Sequence, residues 1–207
     1  MVSTSFITLL LPALALAAPW GRNHTGPAST GAYSAGVAHP TGASFIPRST
    51  GGKVTLKNNC DYDVTYDNLC PCGTSDNSGT ISAGSTWTDS IADCGSGNTA
   101  LKVYKDGSSK PMQFEYGLVS GNVWYDMSFI DCLSGSDDFS QCAGAGWSMG
   151  AIGSCPTYSC TGGSHCCTQG YCDPTATAAT EQPNAGCGTF QGYSVSDVGV
   201  SIELCSA

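Results

Sequence analysis

The chain has 207 residues, with 16 acidic and 7 basic side chains and a formal charge of -9. That balance argues against a surface built to hold nucleic acid or anionic lipid. Only 11% of residues are charged while 27 are glycine, a composition that suits short strands and turns better than surface helices.

In chain order, "MVSTSFITLLLPALALAAPW" comes first. It carries an apolar run from Phe6 to about Leu16 and small residues at Ala15 and Ala17 that fit an A-x-A cleavage site, although its n-region has no Lys or Arg. Residues 1–17 therefore read as a secretory signal. The run is shorter than the roughly 20 residues that span a bilayer, and no second one follows, so no membrane span is expected. Residues 18–50, rich in Gly, Pro, Ala, Ser and Thr and without period, read as a flexible arm. The arm holds the sequon Asn23-His24-Thr25, a glycosylation site, and ends near Arg48, a candidate point of processing. His24 and His39 are not spaced as a ligand pair.

From Gly51 to 207 the signals are those of one all-β domain, long enough to bury its own core. "KVTLKNNCDYDVTY" gives two strands punctuated by "NNCD". After the turn "AGS", Trp87 and Ile91 share one strand face and Thr86 and Thr88 take the other. "NTALKVYKDG" alternates through Leu101 and Val103. "PMQFEYGLVSGNVWYDMSFIDC" reads as two strands around "SGN", with Val123, Tyr125, Met127 and Phe129 on one face. No segment has sustained helical spacing. A disulfide-dense loop region from Cys132 to Cys187 and a return strand, "VGVSIELC", complete a β-sandwich.

All thirteen cysteines lie beyond the signal, and in an oxidising compartment they read as a disulfide framework with one thiol left over. Zinc is disfavoured because Cys70 and Cys72 are separated by one residue and Cys166 and Cys167 by none, rather than forming C-x2-C pairs. Redox catalysis would favour C-x-x-C, which is absent. Cys166 and Cys167 are poor partners for each other because a bridge between neighbours stores strain. "SHCCTQGYC" also invites comparison with a chitin-binding knot, but a single aromatic, Tyr171, lies between Cys167 and Cys172. His165 has no second histidine in the domain, which favours a surface or hydrogen-bonding role.

The ordered set "VTLKNNCDYDV", "ISAGSTWT", "VWYDMSFID", "HCCTQGYCDPT" and "YSVSDVGVSIELC" resembles thaumatin-like proteins over about residues 53–205, closer to small secreted fungal members than to plant ones. The resemblance implies a thaumatin-like β-sandwich with a disulfide-rich loop region. It also implies the bridges Cys60–Cys205, Cys132–Cys187, Cys142–Cys155, Cys160–Cys166 and Cys167–Cys172. Cys70, Cys72 and Cys94 fall where this chain departs from the family, and one bridge plus one free thiol is the simplest outcome.

The family's cleft is lined by an arginine, a glutamate and three aspartates. The resemblance assigns Asp126, Asp131 and Asp197 to the aspartates. Gln113 stands at the glutamate position, Lys105 stands near the arginine, and Glu115, two residues along the same strand face, is a partial substitute. Asp126 and Asp131 are five residues apart and fall on opposite faces of an unbroken strand, so they converge only through a turn or bulge. Turn-capping is the plainer role for an aspartate. Trp124 shares the Asp126 face and is a candidate sugar platform against the competing reading of a core tryptophan; Trp147, Tyr158 and Tyr171 are further candidates.

The expected function is a secreted, extracellular or wall-associated protein that binds β-glucan or a related polysaccharide without catalysis or cofactor. One alternative is a weak β-1,3-glucan hydrolase using Asp126, Asp131, Asp197 and Glu115. The other is a protein-binding antigen, effector or inhibitor that meets a host or wall protein. A monomer is expected, or a dimer joined through the odd cysteine.

Overall fold

A computed structural model describes residues 48–206 except 73–75, 96, 106, 135–137, 139–140, 143–144, 164–165 and 173–183. The expected signal, nearly all of the arm, Asn23 and His165 lie outside the described residues. Among the described residues, no helix is long and apolar enough to cross a membrane.

The strands are β1 (Lys53–Asn58), β2 (Val64–Leu69), β3 (Asn77–Ile81), β4 (Thr86–Ser90), β5 (Thr99–Lys105), β6 (Met112–Val119), β7 (Asn122–Ser128), β8 (Trp147–Ala151), β9 (Thr157–Cys160), β10 (Asn184–Gly188) and β11 (Val200–Leu204). They form two sheets, ordered β4-β1-β11-β8-β9 and β10-β7-β6-β5-β2-β3. Among the described strands β1 and β11 pair in parallel, in register from Val54 with Val200 to Asn58 with Leu204. All-β architecture with two packed sheets is therefore the fold, as expected.

Strand alternation decides what faces inward. Leu101, Val103, Phe114, Tyr116, Val123, Tyr125 and Met127 from the larger sheet meet Val54, Leu56, Met149, Val200 and Ile202 from the smaller, all buried. Trp147 fills the centre, with ring centroids 6.1 Å from Phe114 and 6.2 Å from Phe129. The "NNCD" punctuation has a mechanism: buried Asn58 donates through Nδ2 to the carbonyls of Tyr62 and Ile81 and accepts from the Cys60 amide. A polar bridge joins the sheets at one margin, where Asn68 of β2 and Asn77 of β3 both donate to Asp89 of β4 and the Tyr116 hydroxyl donates to Asn68. In the "SGN" turn Ser120 and Gly121 both have positive φ, 51° and 74°, as the two-residue turn favoured in hairpins requires.

The loop region is more ordered than its composition implies, because it contributes β8, β9 and β10. All five residues of β8, "WSMGA", are buried. Two expected bridges are corrected. Cys132 pairs with Cys142, and Cys155 with Cys187. The chain folds back after β7 through a turn in which the Cys132 and Leu133 amides both reach the Phe129 carbonyl, and the Ser134–Asp138 bridge tightens the loop that returns Cys142 to Cys132. Cys155 instead lies in the turn between β8 and β9, beside Pro156, whose carbonyl accepts from Tyr125 of β7. Cys187 pairs with Val123 in that same strand, so the bridge crosses the sandwich there. Cys60–Cys205, Cys160–Cys166 and Cys167–Cys172 are present as expected.

Cys60–Cys205 closes the longest span, 145 residues, and in the chain-entropy account a loop of that length contributes roughly 3 to 5 kcal/mol. The Cys60→Ser, Cys205→Ser double variant should lose stability of that order in equilibrium urea unfolding, whereas opening Cys167–Cys172, a separation of five residues, should cost visibly less.

Candidate functional site

With core side chains on one face of the six-stranded sheet, the alternate residues share its outer face. Register builds two rows. Asn184 of β10 pairs with Asp126 of β7, which pairs with Glu115 of β6. One step along, Ser128 of β7 pairs with Gln113 of β6, which pairs with Lys102 of β5, which pairs with Asp67 of β2. The turn after β7 then folds Asp131 back over this face, where its Oδ2 lies 2.7 Å from Lys102 Nζ. This turn is the break that convergence of Asp126 and Asp131 required.

The carboxyls are not equivalent. Asp126 is 3% exposed and its Oδ1 has no hydrogen-bond partner among the described residues. Burial, then the neighbouring Glu115, hold its carboxyl well above the ordinary range. Glu115 is half-buried; burial pushes it up as well, and Asp131 adds to the rise against the opposing pull of its bond with Asp126 and of the Lys102 ammonium. Two adjacent carboxyls, one of them out of water, cannot both ionise cheaply, and each raises the cost of charging the other. Further along β5 the Tyr104 hydroxyl donates to Asp67; burial and that carboxylate push its pKa up to about 12.

Tyr171 approaches Asp126 as a buried neighbour. Its amide donates to the Met127 carbonyl at 2.7 Å and its carbonyl accepts from the Phe129 amide at 2.8 Å, so it continues the edge of β7 beyond β10. Gly170 permits the approach, since a Cβ there would come within 2.9 Å of the Met127 carbonyl oxygen. The Cys167–Cys172 bridge, closing the chain segment that carries Tyr171, thus holds one wall of the carboxyl pair.

On the open side, Trp124 stands two residues before Asp126 on the same strand face. It is partly exposed, not core, and meets Phe190 edge to face at 5.9 Å. Gly186, the register partner of Trp124, leaves room for both rings. Phe190 is 55% exposed, and its short 3-10 turn, Thr189–Gln191, is pinned by buried Asn122, which accepts from the Phe190 amide and the Thr189 hydroxyl.

Of the residues expected at the site, the fold brings together Gln113, Glu115, Trp124, Asp126 and Asp131. Asp197 lies elsewhere: it is exposed, in a 3-10 turn before β11 of the other sheet, packed against Gly51. Lys105 also lies elsewhere. It has the parity of the core-facing residues Leu101 and Val103, and its ammonium sits 5.4 Å from the Tyr62 ring at a shallow hollow that contains no carboxylate. Lys102 supplies the cation instead. Trp147 is core, and Tyr158 packs against Tyr125 at 6.4 Å. Sequence reasoning missed Lys102, although its alternation with Leu101 and Val103 already assigns it to the outer face. It missed Phe190, for which no local signal exists. Among the described residues, one group, Cys70, Cys72 and Cys94, gathers three metal-ligating atoms within 4.8 Å.

The sandwich, its parallel first and last strands and its bridged loops are those of a thaumatin-like protein. Residues 43–185 match the model of the Blastomyces yeast-phase-specific protein family (Bys1), and the chain belongs to that family. It is 31% identical over 128 residues to the secreted thaumatin-like protein calA of Emericella nidulans, covering 60% of this chain and 71% of that one. The crystal structure of the protein elicitor MoHrip2 from Magnaporthe oryzae shares the fold, with a TM-score of 0.54 at 18% identity over 74% of this chain and 98% of that one. The thaumatin-like xylanase inhibitor TLXI aligns with a TM-score of 0.45 at 11% identity over 73% and 98% of the two chains.

The upward shift has a thermodynamic signature. Unfolded, the two carboxyls titrate in the ordinary carboxylate range, whereas the fold holds on to a proton to higher pH. The pair's contribution is therefore full below the unfolded value and is lost as pH rises towards the folded one, the reverse of an ion-paired aspartate. Asp126→Asn should gain on the parent as pH rises through this window, by about 1.4 kcal/mol per pH unit, in urea midpoints measured across the acid range. Parallel profiles at every pH would exclude an upward shift at Asp126.

Proposed function

We propose that the chain is a secreted, non-catalytic protein that binds β-glucan or a related neutral polysaccharide on the outer face of its six-stranded sheet. The observation that carries this is the Trp124–Phe190 pair, an exposed apolar edge built beside acceptors and donors on the same face. Sugar rings offer C–H faces that stack on such rings and hydroxyls that pair with Glu115, Asp131, Gln113 and Lys102. A net charge of -9 suits a neutral ligand better than a polyanion. Secretion is supported by the leader-like segment, by six disulfides among the described residues and by a relative described as secreted.

The carboxyl geometry argues against hydrolysis. Retaining enzymes hold their two carboxyls about 5 to 5.5 Å apart and inverting ones about 6.5 to 9.5 Å, leaving room for a reacting carbon or water. Here Glu115 and Asp126 face each other as register partners on neighbouring strands, and Asp126 is buried out of reach of a reacting carbon or water. The hydrolase alternative rests on Glu115, half-buried and pushed upward by burial beside the ion-paired Asp131. The protein-binding alternative would use the same exposed aromatic edge.

The parent protein should be retarded in affinity electrophoresis through laminarin, a soluble β-1,3-glucan, and should release no reducing sugar from it. Phe190→Ala should weaken retention about tenfold, equivalent to about 1.4 kcal/mol, without lowering the melting temperature, because the ring is largely outside the core. Trp124→Ala with Phe190→Ala should abolish retention. Undiminished binding by the double variant removes the aromatic platform, and reducing-sugar release that disappears in Glu115→Gln would replace binding with hydrolysis.

A further inference from the structure

The three cysteines outside the family framework meet at one point. Cys70 follows β2 directly and is 4% exposed; Cys72 is exposed; Cys94 is half-buried. Cys72 and Cys94 form the sixth bridge and Cys70 is the free thiol. Cys70 Sγ lies 2.7 Å from Cys72 Sγ and 2.6 Å from Cys94 Sγ. The Cys70 amide is fixed by a 2.7 Å bond to Asp76 Oδ1, so the thiol is held against the bridge by its own backbone.

A thiol held against a disulfide has the proximity that a bimolecular attack lacks; Cys70 Sγ is almost equidistant from the two bridge sulfurs, so a turn of its side chain brings it in line with the bond that breaks. We propose that these residues form an exchange triad that makes Cys72 a site of covalent attachment to a disulfide-bearing partner. In the first step the Cys70 thiolate attacks Cys94 Sγ; the Cys70–Cys94 bond forms, the Cys72–Cys94 bond breaks and Cys72 leaves as thiolate. The proton lost by Cys70 goes to water, and no electron is gained or lost overall. In the second step the Cys72 thiolate attacks an external disulfide R–S–S–R, forming Cys72–S–S–R and releasing R–S⁻. The buried thiol therefore reacts through an exposed one. A three-thiolate metal site would instead need the Cys72–Cys94 bridge to be reduced first.

Oxidised glutathione serves as the probe disulfide. The native protein is incubated with it at mildly alkaline pH, quenched in acid, blocked with N-ethylmaleimide and mapped by fragmentation without reduction. The expected product carries glutathione on Cys72 with Cys70 bridged to Cys94, and Cys70→Ser should abolish it. An adduct on Cys70 with Cys72–Cys94 intact, or no adduct until the protein is denatured, overturns the proposal. Cys72→Ser provides a check that needs no adduct: it should fold with a Cys70–Cys94 bridge and no titratable thiol. Recovery of that variant folded with Cys70 and Cys94 both reduced would equally overturn it.

Discussion

Strands β1 and β11 are the first and last of the domain, and their parallel pairing is the contact on which the others rely. Parallel neighbours need a crossover, and here the crossover is nearly the whole protein. Once the pair forms, β4 adds to one side and β8 to the other, and Val54, Leu56, Val200 and Ile202 present one continuous apolar surface. The six-stranded sheet has no other large surface against which to bury Phe114, Tyr116 and Tyr125. Closing so long a loop is expensive in chain entropy, and Cys60–Cys205 reduces that cost by tying the strand ends in the unfolded chain as well.

The outer face of the larger sheet follows from that arrangement. A sheet that packs its core on one side must expose or cover the other, and this protein does both. Loop residues carried by Cys160–Cys166 and Cys167–Cys172 cover the β7 end where Asp126 lies, while the Trp124 end stays open beside Phe190. Polar groups that would be solvated on an open sheet become a largely buried carboxyl pair, adjoining an aromatic edge that remains accessible. Burial and openness thus meet within a few residues of one strand.

How much of this was legible depended on whether a residue's environment is written next to it. Val123, Tyr125, Met127 and Phe129 alternate cleanly, so β7 and its inward face were readable. Strand β8 was not, because "WSMGA" is buried on both faces and gives no period. Strand β3, "NSGTI", is a mostly exposed edge and has too little apolar content to stand out. The pairing of Glu115 with Asp126 was within reach: recognising Ser120-Gly121 as a two-residue hairpin turn fixes the register outright. The third aspartate and the cation were carried over by position in a resemblance, and Asp197 and Lys105 show where positional carry-over fails. One sits on the other sheet and the other has the wrong strand parity. The exchanged bridges among Cys132, Cys142, Cys155 and Cys187 depend on how loops return in space, which spacing does not encode.

The hydroxyl of Ser201, on the outward side of β11, accepts hydrogen bonds from the amides of both Arg48 and Ser49, and Ser49 Oγ donates on to the Lys53 carbonyl. The chain thus enters the domain across the outside of the smaller sheet, while the aromatic rim and the carboxyl pair occupy the outside of the larger one. The sandwich is interposed between tether and rim. The entry point at Ser201 and the Trp124–Phe190 edge therefore lie on opposite outer faces, with the whole apolar core between them, so a change at one leaves the other's surroundings intact.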